Sequence, residues 1–273
     1  MASRKIRIGI IGCGTIGSQL VKAIDEKFSH QAELFALCDT DKEKAQKLER
    51  NSSSTPEILS IDELINNCDL VIEAASGKIS YEVAQKTLEA NKDVMLMSIG
   101  GILGRHQALF SLARSKGCRI HLPSGAIGGL DAVKAASMAK INSATLITRK
   151  PPQGLAGAPY LAQKKIDLAG IKEETVVFEG LASEAVKGFP KNVNVCAVLS
   201  LAATGAQKTR VKIITSPEYT ANSHEIELEG DFGKLLCRTV NVPSPVNPKT
   251  SFLAALSAIA TLKNVLDVVK IGT

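Results

Sequence analysis

The sequence predicts an α/β protein in two domains: a doubly wound parallel sheet, then a second, α+β domain with a mixed or antiparallel sheet. Three observations carry this. An apolar strand runs into Gly12-x-Gly14-x-x-Gly17 and straight on into a helical pattern. Strand and helix patterns then alternate as far as Leu122. After Pro123 the alternation gives way to a second glycine-rich turn and, later, to strands with no helix between them.

The first strand, Ile6 to Ile11, is apolar apart from Arg7 and Gly9, and Leu20, Val21 and Ile24 recur at helical spacing behind the glycines. This strand–turn–helix context is what a dinucleotide fingerprint requires. Gly12 permits the tight turn, Gly14 lets the backbone approach a pyrophosphate, and Gly17 lets helix and strand pack closely. Thr15 and Ile16, at the helix N-terminus, complete a seat for the phosphates, where backbone N–H groups and the positive end of the helix dipole favour an anion. A second buried strand, Leu34 to Cys38, ends at Asp39, which is 22 residues beyond Gly17 and suits hydrogen bonds from an adenosine ribose. A solvated strand end or helix cap is the plainer reading of the same aspartate. A carboxylate there repels a 2′-phosphate and favours NAD, while Thr40, Lys42 and Lys44 soften that exclusion, so NAD and NADP both stay open.

Downstream, Asp41–Arg50 reads as a charged helix, 51–56 as a polar loop, and Ser60-Ile61-Asp62-Glu63 as a capping box before a short helix. Strand 69–75, helix 81–91, strand 94–97, helix 105–116 and strand 119–122 complete a Rossmann-type sheet. Ligands in such sheets lie at the carboxyl ends of the strands. Ala75 and Ser76, with Ala74, Gly77 and Ser98–Gly100, are small residues at those ends and are expected to line the cofactor.

Past Pro123, Ser124–Gly129 is the second glycine-rich turn, leading to a helix over 131–140, a strand over 145–149 and an irregular loop over 151–159. A strand over 175–178, a short helix around 183–187 and an apolar helix over 195–203 follow. Residues 208–215, 224–229 and 234–242 read as successive antiparallel strands, the last two joined by Gly230-Asp231-Phe232-Gly233. Residues 1–123 are therefore expected to form the dinucleotide domain and 124–245 the second domain, with a helical segment in 246–273 packing back on the first.

Composition sets limits. Net charge is +6, basic residues are scattered, and aromatics are only 4%, which argues against nucleic-acid binding. No apolar run approaches the 18 residues of a membrane span, and the apolar N-terminal stretch is a glycine-broken strand, not a signal peptide. The six cysteines are widely spaced with no C-x-x-C pair, so reduced thiols in a cytoplasmic protein are expected. Cys13, at a helix N-terminus, is placed where a thiol pKa could be depressed. No histidine pair has metal-ligand spacing, so no metal is expected.

His224 is the sharpest residue of the second half. In Asn222–Glu229, Glu225, Glu227 and Glu229 take one face, and His224 shares the other with Ile226 and Leu228. Periodicity alone leaves two readings, a satisfied core histidine or a general acid/base.

Five blocks in this order, Gly12–Gly17, Pro123–Asp131, Phe189–Val195, Asn222-Ser223-His224 and Asn247–Ser251, resemble the L-aspartate dehydrogenases over nearly the whole chain. The resemblance implies NAD(P)-dependent oxidation of L-aspartate to iminoaspartate, a precursor in NAD biosynthesis that also hydrolyses to oxaloacetate and ammonia. It implies that His224 is the active-site acid/base, that Ala126 and Asn194, with Asn192 as the neighbouring candidate, line the cofactor, and that the protein is a homodimer built through the second domain's sheet. Such a substrate brings two carboxylates, which need cationic or N–H donors. Lys249, Thr250 and Ser251 are the preferred candidates, with Arg149 and Lys150 equally readable as surface charge. Two alternatives remain: a reductase of similar plan such as dihydrodipicolinate reductase, whose paired-histidine signature is absent, or a dinucleotide sensor without turnover.

Overall fold

A computed structural model describes residues 4–190 and 193–273, the side chains of Pro248 and Lys249 excepted. The chain divides into two compact units, residues up to Pro123 with Ala255–Lys270, and Ser124–Ala254 with Ile271–Thr273.

The first unit is a six-stranded sheet in the order β3-β2-β1-β4-β5-β6. Its strands are β1 (Ile6–Ile11), β2 (Ala32–Cys38), β3 (Glu57–Ile58), β4 (Leu70–Glu73), β5 (Asp93–Leu96) and β6 (Ile120–His121), and every pair is parallel. Its helices are α1 (Thr15–Ala23), α2 (Lys42–Arg50), α3 (Ile61–Asn67), α4 (Ser80–Glu89) and α5 (His106–Lys116). Parallel strands buried on both faces read as apolar runs, and β1 and β4 do. On one side Ile8 and Ile10 pack with Leu20, Val21 and Ile24. On the other, Ile11 and Val71 pack with Leu64 and Ile65 of α3. Arg7, the break in the first strand, stacks its guanidinium 3.5 Å from the Phe35 ring centre. The Ser60–Glu63 capping box forms as read, with both reciprocal bonds. After α1 a π turn over Ile24–Phe28 leaves Asp25 accepting from Ser52 Oγ at 2.9 Å and Ser53 N at 3.1 Å, which pins the polar loop.

The second unit holds a five-stranded sheet in the order β11-β10-β7-β9-β8, built from β7 (Ile141–Lys150), β8 (Thr175–Leu181), β9 (Arg210–Thr215), β10 (Asn222–Gly230) and β11 (Gly233–Asn241). Helices α6 (Leu130–Ala136), α7 (Pro159–Gln163), α8 (Ala182–Gly188) and α9 (Asn194–Ala202) belong to this unit. A two-stranded ribbon, β12 (Pro243–Ser244) with β13 (Asn247–Ser251), completes it.

Two expectations change. The strands 208–215, 224–229 and 234–242 are not consecutive neighbours: β10 and β11 form the antiparallel hairpin, but β9 runs parallel to β7, which lies between β9 and β10. Alternation identifies a strand and its buried face, whereas the neighbour is decided by tertiary packing. The helix over 131–140 ends at Ala136, because β7 already starts at Ile141, four residues before the apolar alternation becomes visible.

The segment after Pro243 starts as the ribbon, and α10 (Phe252–Leu266) follows it. From Ala255 the chain is part of the first unit, and Ala258 and Leu262 join the cluster of Ile8, Ile10 and Leu20. Complete burial of a side chain such as Leu262 contributes about 1.5–3 kcal/mol.

Candidate functional site

Each unit contains its own group of candidate residues. In the first unit, β1 delivers the chain to Gly12, whose φ of +104° is open to glycine and strained for other residues. A Cβ there would sit 2.6 Å from the Ala74 carbonyl carbon and oxygen, so the glycine turn rests against the end of β4. A Cβ on Gly17 would lie 2.0 Å from Gly12 O, which makes this the close helix–strand approach. On Gly14 it would meet nothing within 4 Å, so protein packing does not account for that glycine, and the space beside it is open to a ligand. No side chain caps α1 and its first turn, which includes Thr15, Ile16 and Gly17, holds no acidic residue. The turn fits a dinucleotide pyrophosphate.

Asp39 lies beside this turn because β2 pairs with β1, Cys38 opposite Ile11. Its Oδ2 accepts from Cys13 N at 2.7 Å and its Oδ1 from Asp41 N at 2.8 Å. A carboxylate has about four acceptor positions, so capacity for ribose hydroxyls remains. Lys44 is drawn into an ion pair with Asp41 at 3.1 Å. Cys13 corrects an expectation: burial, reinforced by Asp39 and Cys38, pushes its thiol up to about 12 instead of down. Ala75 and Ser76 are exposed at the carboxyl end of β4.

In the second unit the register settles which residues surround His224. It stands opposite Thr148 on β7 and Thr239 on β11. The imidazole is 4% exposed, and its Nδ1 shares a 3.0 Å hydrogen bond with Thr148 Oγ1. Lys150, two residues on from Thr148 and therefore on the same face, is only 9% exposed. Burial lowers the Lys150 ammonium to about 8. Burial, and then the charge of Lys150, lowers His224 to about 3, so the ring is neutral above that. His224 is thus a buried ring that is neutral and held at one nitrogen.

The Ser124–Gly129 turn meets the same end of the sheet. Ala126 is buried, and its carbonyl accepts from Thr239 Oγ1 at 2.9 Å and Asn241 Nδ2 at 3.1 Å. Gly125, at φ +67°, directs its Cα position toward Val195, 3.6 Å from a would-be Cβ, and Asn194 precedes Val195 as the first residue of α9. His224, Thr239, Ala126 and the start of α9 therefore form one connected group. Arg149 is excluded from it: it points to the opposite face, where Arg149 and Arg238 pair with Glu225 at 3.5 and 3.8 Å. Thr250 and Ser251 lie on the β12–β13 ribbon, with Ser251 paired to Pro243. Asn192 lies outside the described residues, as does the Lys249 side chain.

Sequence reasoning missed Thr148, Thr239 and Asn241, because cross-strand partners depend on register. It left Lys150 undecided, although its place one strand period from Thr148 was a usable signal once β7 was known to be a strand. Among the described residues there is no cluster of three metal-ligating side chains.

Residues 12–123 match the family model for a homoserine dehydrogenase NAD-binding domain, and residues 131–265 match the model for the aspartate dehydrogenase C-terminal region. The chain is 49% identical to the L-aspartate dehydrogenase of Methanosarcina barkeri, covering 98% of this chain and 100% of that one. It is 38% identical to that of Bradyrhizobium diazoefficiens, covering 100% of this chain and 96% of the relative. The crystal structure of aspartate dehydrogenase from Thermotoga maritima shares the fold, with a TM-score of 0.76 at 24% identity over 98% of this chain and 100% of that one. A homoserine dehydrogenase from Thiobacillus denitrificans does so with a TM-score of 0.65 at 12% identity, over 96% of this chain and 73% of that one.

Proposed function

The chain belongs to the L-aspartate dehydrogenase family and is an NAD(P)-dependent amino-acid oxidoreductase, and from that premise we propose that it oxidises L-aspartate to iminoaspartate. The observation that carries the site assignment is the buried, neutral His224 held at Nδ1 by Thr148. The bound cofactor supplies the hydride acceptor, nicotinamide C4. The hydride leaves C2 of the amino acid, the amine gives up a proton, and the products are the imine, the reduced cofactor and that proton. In this reading the proton goes to Nε2 of His224, because Thr148 occupies Nδ1.

A base whose proton affinity is this low in the free protein needs the substrate to raise it. Burial is the larger cause of that low affinity and Lys150 the smaller. Lys150 is the counter-charge for a substrate carboxylate, and a dicarboxylate there offsets the Lys150 contribution and adds negative charge that favours the protonated ring. The ring is then more basic with substrate bound than in the free protein. Lys249, Thr250 and Ser251 remain candidates for the other carboxylate. Gly12, Gly14, Thr15, Ile16 and Gly17 take the pyrophosphate, and Asp39 takes the adenosine ribose. The Asp39 carboxylate repels a 2′-phosphate and favours NAD over NADP, and the exposed Lys44, paired with Asp41 at 3.1 Å, offsets this in part. Ala75, Ser76, Ala126, Asn192 and Asn194 are proposed to line the rest of the cofactor.

The product would feed NAD biosynthesis or hydrolyse to oxaloacetate and ammonia, in a cytoplasmic setting. No helix among the described residues is long and apolar enough to cross a membrane. A homodimer through the second sheet is supported by β11, an edge strand whose outward face exposes Leu236 and Val240, each 68% accessible. The deciding assay is NAD(P)H formation with L-aspartate against L-glutamate, L-alanine and D-aspartate, with both cofactors. Selective turnover of L-aspartate is the expected result, and tight NADH binding with no turnover of any of the four refutes the proposal.

A further inference from the structure

One buried charge plays no part in the chemistry above. Glu73 is the last residue of β4, paired with Ile11 on β1 and Leu96 on β5, and it is completely inaccessible. Its side chain links two different crossover loops. Oε1 accepts from Ala75 N at 2.8 Å and from Ser98 Oγ at 2.9 Å, and Oε2 accepts from Ser98 N at 3.1 Å. Burial raises the Glu73 carboxyl above the usual range, and the hydrogen bonds from Ser98, Ala75 and Ser76 oppose that. A carboxylate inside a parallel sheet is expensive unless its acceptors are all used. Acceptor oxygens suit both positions, because two of the three donors are backbone N–H groups that cannot reverse their role.

The surrounding backbone is equally close. A Cβ on Gly101 would lie 2.1 Å from Gly77 O and 2.2 Å from Ser80 Oγ, so the loops after β4 and β5 are in direct contact. Gly12, in turn, abuts Ala74 and Ala75. Glu73 therefore stands at the root of a continuous strip formed by the glycine turn, the Ala74–Gly77 loop and the Ser98–Gly101 loop. The adenosine half of a dinucleotide belongs to the glycine turn and Asp39, at the β1–β2 side of this strip. The two loops joined by Glu73 lie at the β4–β5 side, where the nicotinamide half extends.

We infer that Glu73 is a positioning residue for the nicotinamide half of the cofactor: it fixes the Ala75 and Ser98 backbones, which contact that half, and leaves the adenosine half untouched. The inference rests on cofactor binding by the first unit. It predicts a split that general damage to the domain would not produce. In the full-length protein, Glu73→Gln directs an amide donor at a donor, so the two loops separate. Its Kd for NADH should rise about tenfold or more, with reduced kcat, while its Kd for ADP-ribose stays within about twofold of the parent.

Ser98→Ala removes one of the three bonds, introduces no mismatched donor, and should show the same split at about two- to fivefold. This second variant decides the matter if Glu73→Gln does not fold. Titration of both ligands by calorimetry, with the fluorescence of bound NADH as a second readout, separates the outcomes. Equal loss of ADP-ribose and NADH affinity in the soluble variants overturns the inference, as does unchanged NADH affinity in both. Failure of the parent protein to bind either ligand removes the cofactor reading itself, and this inference with it.

Discussion

Thr148→Val tests the site at its narrowest point. Valine has nearly the shape of threonine, so packing in the 4%-exposed position is kept and the hydroxyl alone is lost. If Nε2 of His224 is to accept a proton, Nδ1 carries the hydrogen and donates it to Thr148 Oγ1 across the 3.0 Å contact. When the ring takes up the substrate proton, that bond becomes charge-assisted and stronger. A hydrogen bond to a charged group is worth about 1.5–3 kcal/mol. The neutral bond present before transfer is worth about 0.5–1.5 kcal/mol, so the gain on transfer is about 1–1.5 kcal/mol. At a factor of ten per roughly 1.4 kcal/mol, loss of that gain lowers kcat about 5- to 12-fold. NADH binding should be unaffected, and melting should fall by a few degrees, at about 2–4 °C per kcal/mol for a chain somewhat smaller than this one. Thr148→Ser, which restores the hydroxyl and drops only a methyl group, should recover most of the rate. Steady-state kinetics with thermal melting of the two variants suffices. A valine variant that melts lower but turns over at the parent rate would show that the contact serves packing alone and would refute the reasoning.

Three further outcomes are expected. His224→Ala should lose about 10²–10⁴-fold in kcat while retaining its NADH affinity, measured by fluorescence titration; near-normal kcat removes His224 from the proton transfer. Because His224 has a folded pKa of about 3, below its ordinary value, the unfolded chain binds the proton more readily. Stability should therefore fall as pH drops from about 6.5 toward 3, and melting curves of His224→Gln at pH 4 and 6.5 should differ less than those of the parent. Lys150 loses its charge as pH rises through about 8, so the ratio of kcat/KM between the parent and Lys150→Met should be largest below pH 8 and shrink above it. A ratio that is flat with pH would refute its role as the carboxylate's counter-charge.

What the sequence disclosed followed the range of each signal. The glycine turn, α1 and the strand ending at Asp39 are local, encoded within about 30 consecutive residues, and the structure has them where periodicity put them. The inward direction of His224 was equally local, since alternation with Glu225, Glu227 and Glu229 determines a face. Its neighbours were not legible. Thr148 lies 76 residues away in sequence, and only the β7–β10 register brings it to the ring. Asn142 and Ser143 hid the start of β7, so its central place in the sheet could not be read from composition. Periodicity shows Glu73 only as a residue within a strand over 69–75; the strand ends at Glu73, whose carboxyl group meets Ser98 beyond the end of another strand. Cys13 shows the opposite error: the helix N-terminus was legible and argued for an acidic thiol, but burial beside Asp39 outweighs it.

The route of α10 bears on how this protein is made. A ribosome delivers the first 123 residues well before Ala255, and the intervening stretch of about 130 residues takes roughly 7–26 s at ordinary elongation rates. During that interval the side of the parallel sheet that Ala258 and Leu262 will cover is still open, with Ile8, Ile10 and Leu20 lacking part of their packing. The nascent cofactor domain thus passes through a stage with a sticky apolar face, while the second unit has all its described strands in hand before α10 begins. Maturation of the nucleotide-binding half is held back until α10 has been made, and chaperones that cover exposed apolar surface have their opportunity in that window.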